Sequence, residues 1–427
     1  MNILMMTNTY KPILGGLEKS VESFSEEYRC RGHCVFIAAP EYEDTKPDPY
    51  VIRVPALQKF NGSDFSVQLP IPGVLEEALG SFRPDIVHAH HPFLIGDTAL
   101  RVAFKYNVPL VFTHHTLYEQ NVHYVPGNEH ALQKFVIELS TGYANLADQV
   151  FAPSQSVEQL IRDRGVQSPI EVIPTGIGID QFSRGEGQAF RQKHNIPPQA
   201  FVVGYLGRLA PEKNLGFLTG AVADFLKNNE NTFFLVAGQG PYEEIIKRDF
   251  FSRGVGDRLR LVGPMQGKDK ADVYHAMDVF AFASQSETQG LVLTEALASQ
   301  VPVVAVDASG VREVVEDRIN GRLVMRQDKD EFISALSWVR DLAGPFREQM
   351  AGACLQTAKN FSMEKCTTKA LEAYASLAVR HGFIRRGSED SAWSQTVRLI
   401  KAEGGLVKNL TRAAGALVSG TLKGGVV

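Results

Sequence analysis

The sequence predicts two doubly wound α/β domains in tandem, each a mostly parallel sheet with helices on both faces. Three observations lead there. The chain has 427 residues, which favours two domains over one. Short apolar runs alternate with stretches of helical periodicity. That alternation breaks off in a Gly- and Pro-containing stretch near 165–200 and then starts again.

The first half opens with "NILMMT" as a strand, followed by a helix over 17–31. "HCVFIAAP", "DIVHAHH", "VPLVFTHH" and "DQVFAPS" read as further strands, with periodic stretches such as 94–106 and 129–147 between them. Within the break, "RGVQSPIEVIPTGIGIDQF" carries a strand and a turn, and "KHNIPPQA" reads as a linker. The second half runs "FVVGYLGRL", a helix at 214–228, "TFFLVAGQGP", a helix at 241–252, "LRLVGPM", "VFAFAS" and "VPVVAVD". A further helix is expected at 362–380. The expected division is 1–190, 191–361, the 362–380 helix and a tail over 381–427. In such folds ligands bind beyond the carboxyl ends of the strands, at a switch point or between domains.

Composition excludes several classes. A formal net charge of -4 gives no global attraction for nucleic acid, so any anion site must be local. Hydrophobic residues at 44% and charged ones at 22% supply an ordinary core. Four cysteines, Cys30, Cys34, Cys354 and Cys366, are too scattered for a disulfide framework. Cys30-x3-Cys34 encloses His33 as a conceivable zinc half-site, but without a second close pair reduced thiols are favoured. "MNILMMT" lacks the layout of a signal peptide, and no apolar run is long enough to span a bilayer. The expectation is a cytoplasmic protein, soluble or peripheral on the inner face of the membrane. The segment 394–427 sets Arg398, Lys401, Lys408, Arg412 and Lys423 against Glu403 alone. It reads either as a basic amphipathic segment on an anionic membrane or as a flexible Gly-rich tail.

Two stretches carry the chemistry. In "YLGRLAPEKN", Arg208 and Lys213 follow a strand end and could clamp a diphosphate; alone they read as a solvated turn. In "SETQGLVLTEAL", Gly290, Leu291 and Val292 begin a helix whose free N–H groups suit a phosphate. Glu295 lies one turn in, placed to accept both hydroxyls of a ribose or merely to complement the helix dipole. Glu287 precedes the turn and could face a sugar beyond the diphosphate. Together the two stretches converge on a pyrophosphate. Gly15 and Gly16 form a second glycine loop after the first strand, without the spacing of a dinucleotide fingerprint. "GQGPYEE" at 238–244 reads as a tight strand–helix turn. His88, His90, His91, His114, His115 and His123 cluster in the first half. His88 and His90 share a strand face, with His115 at the end of the next strand, so a metal site is one reading. No accompanying ligand motif supports it. The other reading is a neutral histidine that hydrogen-bonds a sugar hydroxyl or stabilises positive charge at an anomeric carbon.

"GGLE" at 15–18, "THHT" at 113–116, "PTGI" at 174–177, "GRLAPEKN" at 207–214 and the E-x7-E segment 287–295 together resemble the retaining GT-B glycosyltransferases of family 4. The resemblance covers about residues 1–375. It implies two Rossmann-like domains with a cleft between them, and the 362–380 helix crossing back onto the first. It implies a nucleotide-sugar donor as substrate, with no cofactor and no required metal. By motif, Arg208 and Lys213 neutralise the leaving diphosphate, Glu295 binds the ribose and Glu287 contacts the transferred sugar. Amides at Gly290, Leu291 and Val292 hold phosphate or sugar, Gly16 closes over the donor, and His115 touches the sugar near the reacting carbon. Gln289 stands where the family usually has Phe, which alters the sugar pocket. "THHTLYEQNVHYVP" at 113–126 is similar to bacterial diacylglycerol glucosyltransferases, which implies transfer from UDP-glucose to a membrane lipid. Other family members imply GDP-mannose donors and polysaccharide or lipid-linked sugar acceptors. An epimerase or phosphorylase, and a non-catalytic sugar-nucleotide sensor, are the readings from other classes.

Overall fold

The computed structural model describes residues 1–13, 15–43, 45, 47–57, 67–68, 74–120, 128–285, 287–385 and 392–423. His123 and the rest of 121–126, and 386–391 and 424–427 of the tail, lie outside the described residues. The chain divides into two compact units, 1–176 with 366–427, and 177–365.

The first unit is built on β1 (Asn2–Met6), β2 (Cys34–Pro40), β3 (Val51–Val54), a short antiparallel pair of β4 (Ala56–Leu57) and β5 (Val67–Gln68), then β6 (Ile86–Ala89), β7 (Leu110–Thr113), β8 (Gln149–Ala152) and β9 (Ile170–Val172). Seven of these form one sheet in the order β3-β2-β1-β6-β7-β8-β9, parallel throughout. The helices are α1 (Gly16–Cys30), α2 (Val74–Leu79), α3 (Ile95–Tyr106), α4 (Glu129–Ala144) and α5 (Gln155–Asp163). Every residue of β6, β7 and β8 is buried, because helices cover both faces, so these strands read as apolar runs rather than alternations. α1 buries Val21, Phe24 and Tyr28 at helical spacing. Ser154 starts α5 by accepting the Val157 N–H at 3.3 Å.

The second unit has six parallel strands, β10 (Phe201–Leu206), β11 (Thr232–Ala237), β12 (Leu259–Leu261), β13 (Val279–Phe282), β14 (Val303–Val306) and β15 (Gly321–Val324), ordered β12-β11-β10-β13-β14-β15. Its helices are α6 (Ile179–Phe182), α7 (Gly187–Lys193), α8 (Leu215–Lys227), α9 (Glu243–Ser252), α10 (Gly267–His275), α11 (Leu291–Ala298), α12 (Lys329–Arg340) and α13 (Gly344–Asn360). The residues 187–200, which include the stretch that reads as a linker, are integral to this unit. Arg191 is buried and donates to the carbonyls of Ala276 (2.9 Å), Pro198 (3.1 Å) and Ala200 (3.0 Å) and to the Asp278 carboxylate (2.8 Å).

α14 (Met363–Arg385) and α15 (Ala392–Lys423) close the chain, and from Cys366 onward it counts with the first unit. α15 packs on α4 and α3. Ala402, Asn409 and Ala413 are buried there, and the Asn409 amide donates to the Leu139 carbonyl at 3.0 Å. The described part of the tail is therefore a helix docked on the first unit.

Both sheets divide in the same way. The first strand of each unit, β1 or β10, has its successor on one side and a later strand, β6 or β13, on the other. In doubly wound sheets ligands bind beyond the strand ends at such a division.

Candidate active site

In the second unit, the loops leaving β10 and β13 are the two that flank the division. The loop after β10 runs through Arg208 into a short turn, Pro211–Lys213, and then α8. The Asn214 amide donates to the Ala283 carbonyl just beyond β13 at 3.1 Å, tying the two loops together. The Lys213 ammonium lies 2.6 Å from the Glu287 carboxylate, in a partly shielded ion pair. Arg208 pairs with Glu212 on its own loop. The turn after β11 presses on this loop: a Cβ at Gly238 would lie 1.9 Å from the Gly207 carbonyl oxygen. The "GQGP" glycines thus serve a close backbone approach that shapes the loop carrying Arg208.

Gly290 caps α11 at φ 73°, a left-handed conformation that an L side chain adopts at a cost. A Cβ there would also meet the Leu293 side chain at 2.8 Å. The cap leaves the amides of Leu291 and Val292 without intrahelical partners, at the positive end of the helix. Gln289, next to the cap, is buried.

Glu295 is buried one turn into α11, and it is not bare. One carboxylate oxygen lies 2.5 Å from the Lys270 ammonium, and the other accepts the Tyr274 hydroxyl at 2.8 Å. Burial and the Glu295 charge push the Tyr274 phenol well above its usual range, so it stays a donor. Lys270 and Tyr274 sit one turn apart on α10, a helix the sequence reading passed over. Their signal was present in "KDKADVY", where two residues at i and i+4 share a face. A carboxylate has about four lone-pair directions, so two acceptor positions on Glu295 remain for a ligand.

Of the residues singled out from sequence, the structure joins Lys213 to Glu287 and places Gly290, Leu291, Val292 and Glu295 on one helix start. Gly16 and His115 belong to the first unit. Gly16 opens α1 directly after Gly15, with the buried Glu18 folded back against Gly15.

The histidines gather at the matching end of the first sheet. Both nitrogens of His88 are used, by the Tyr374 hydroxyl at 2.5 Å and Thr113 Oγ1 at 2.6 Å. His91 Nδ1 accepts the Asn8 N–H at 3.1 Å. His90 Nδ1 and His115 Nε2 share a hydrogen bond of 2.8 Å, so one ring donates and the other accepts. Burial lowers His88 and His91 to about 3 and His114 to about 4, and holds His90 and His115 well below the usual value. All five are neutral near pH 7. A neutral ring can donate or accept toward a hydroxyl; these rings bring no positive charge to the site. Among the described residues no group of three His, Cys, Asp or Glu is arranged to hold a metal ion.

Two family models match the chain in succession, Glycosyltransferase Family 4 over 14–181 and Glycosyl transferases group 1 over 187–353. The chain is also 31% identical over 330 residues to alpha-monoglucosyldiacylglycerol synthase of Streptococcus pneumoniae, covering 76% of this chain and 75% of that one. This chain belongs to glycosyltransferase family 4. It is 24% identical over 388 residues to a GDP-mannose-dependent alpha-mannosyltransferase of Corynebacterium glutamicum, 88% of this chain and 89% of the relative. Among solved structures, Anabaena HepE in complex with UDP-glucose superposes with a TM-score of 0.67 at 20% identity, over 88% of this chain and 100% of that one. The fold of this family 4 enzyme is thus GT-B, two Rossmann-like parallel-sheet domains. The enzyme is a glycosyltransferase that moves a sugar to an acceptor.

Proposed function

We propose that this enzyme moves a glucosyl group from UDP-glucose to the free hydroxyl of a diacylglycerol-type lipid at a membrane surface, retaining the anomeric configuration and using no metal. The observation that carries the donor half is the pairing of the β10 and β13 loops at the sheet division. Lys213 and the α11 N-terminus there provide positive charge, and Arg208 stands on the same loop as Lys213. Breaking the bond from sugar C1 to the diphosphate builds negative charge on the leaving oxygen. Preoriented cations and amides stabilise that charge without reorganising at the moment of reaction. Glu287 keeps the Lys213 ammonium in place, and Glu295 offers its remaining acceptor positions to the ribose.

The lipid acceptor is supported by likeness to the pneumococcal synthase, whose name states such a product, and by the "THHTLY" run. Retention is supported by the family resemblance. With the neutral His115 ring offering no carboxylate nucleophile, the leaving phosphate takes the acceptor proton in a front-side attack. Likeness to the mannosyltransferase supports a second reading in which GDP-mannose is the donor.

The test is a panel of nucleotide sugars against diacylglycerol and total lipid extract, with products read by mass spectrometry and anomeric NMR and with EDTA present in parallel. An α-glucosyl lipid from UDP-glucose, undiminished by EDTA, is expected. Product from GDP-mannose alone selects the second reading. Donor hydrolysis or epimerisation that ignores every acceptor overturns both.

A further inference from the structure

α15 is held to the first unit by one face and leaves another open. Ala402, Asn409 and Ala413 are buried against α4 and α3. Away from that contact Ile400, Val407 and Leu410 are 63%, 61% and 56% exposed. At 3.6 residues per turn these three positions fall within about 80° of arc, one apolar stripe along the helix. Lys401 and Lys408, both exposed, flank that stripe on one edge. The acid of the helix, Glu403, falls within that arc and is paired with Arg101. Both family models end before α15 begins, the second at residue 353.

We infer that the open face of α15 is a docking surface for an anionic lipid bilayer, with Ile400, Val407 and Leu410 entering the headgroup boundary and Lys401 and Lys408 meeting lipid phosphates. An amphipathic helix with aliphatic groups on one side and lysines at its edge lies in the interface plane; apolar burial and attraction to anionic lipids add. No helix among the described residues is long and apolar enough to cross a membrane. A second copy of the chain would have to meet the lysine edge with acids, and the one acid of α15 is already paired with Arg101. The charge pattern favours lipid. The inference deepens the lipid-acceptor reading and rests on it for its purpose, while its test does not depend on transfer.

The experiment uses the full chain and floats it with vesicles of phosphatidylcholine alone or mixed with phosphatidylglycerol. Two double variants are compared, Val407→Glu with Leu410→Glu, and Lys401→Glu with Lys408→Glu. The wild type is expected to partition to the mixed vesicles and to release at high salt. Lysine reversal should lower partitioning by at least about thirtyfold, at roughly fivefold per lysine lost, with the added glutamates repelled by the anionic surface as well. The apolar variant should abolish it, with the circular dichroism spectrum and unfolding midpoint of both variants unchanged. Transfer to a short-chain, water-soluble diacylglycerol should remain in both variants. If the wild type floats yet transfers to no lipid, the acceptor reading fails and the docking surface stands. Wild-type partitioning retained by both variants overturns the inference. So does a concentration-dependent dimer that the apolar variant dissociates without changing flotation.

Discussion

The two sheets present opposite chemistry at the same topological place. Beyond β10 and β13 the second unit sets out ions in pairs, Lys213 with Glu287, Arg208 with Glu212 and Lys270 with Glu295. At the ends of β1, β6 and β7 the first unit sets out neutral rings, the buried His88, His90, His91 and His114 and the partly buried His115. A leaving diphosphate needs fixed positive charge, whereas a sugar or acceptor hydroxyl needs neutral donors and acceptors held at set angles. One doubly wound plan serves both needs because the loops at the division carry different side chains.

The largest break in this contrast should come from the charged side. Lys213→Ala removes a cation and leaves Glu287 alone, a partly shielded acid near the expected phosphate. Transfer should fall about a hundred- to thousandfold in kcat, with the unfolding midpoint little changed. Steady-state rates with saturating donor check this, and near-normal turnover would remove the site assignment. Glu295→Ala should act more on the donor, raising KM for the nucleotide sugar by about ten- to a hundredfold, because it removes one charge-assisted contact and frees Lys270.

A smaller effect should come from the neutral side. His90→Ala deprives His115 of its ring partner and of the fixed tautomer that partner imposes. We expect about a tenfold loss in kcat with donor KM unchanged. His90→Gln, which can still donate or accept, should restore part of it. Unchanged kcat in His90→Ala would mean that the pair is only packing.

A separate probe of the neutral side is pH. Folded histidines lowered from 6.5 to about 3 or 4 bind fewer protons than the unfolded chain across that window. Stability from this term is therefore complete above the unfolded value and is lost as pH falls toward the folded one. Each of these rings should cost stability progressively as pH falls below 6.5, until its folded value is reached. Urea midpoints measured from pH 7 to 5 should fall, and His91→Asn should flatten the slope by about one ring's share.

The fold was readable because fully buried parallel strands are apolar runs, and "DIVHAHH", "VPLVFTHH" and "FVVGYLGRL" show them plainly. β3, β15, α10, α12 and α13 went unread. β3 and β15 are four-residue strands. α10 carries "GKDKADVYH", whose charges hide a shallow apolar face. At the site, Arg208, Lys213, Glu287 and Glu295 stood out as charges beside glycine and proline turns. Lys270 did not, because a lysine on a polar helix looks solvated until β13 brings Glu295 beneath it. Nor did the His90–His115 bond, which depends on how β6 and β7 align. In the stretch before β10, local turn residues suggest a connection, and only the buried Arg191 shows otherwise.

Arg191 carries a consequence for modularity. Its guanidinium stitches the segment ahead of β10 to the loop between α10 and β13, and Asp278 also accepts the Val202 N–H at 2.8 Å. A fragment beginning at 192 would leave Asp278 and several carbonyls stranded, at a cost of about 3–5 kcal/mol for the lost buried partner. A fragment cut ahead of α6 keeps the stitch, so the sugar-nucleotide half should be separable only with its leading segment attached.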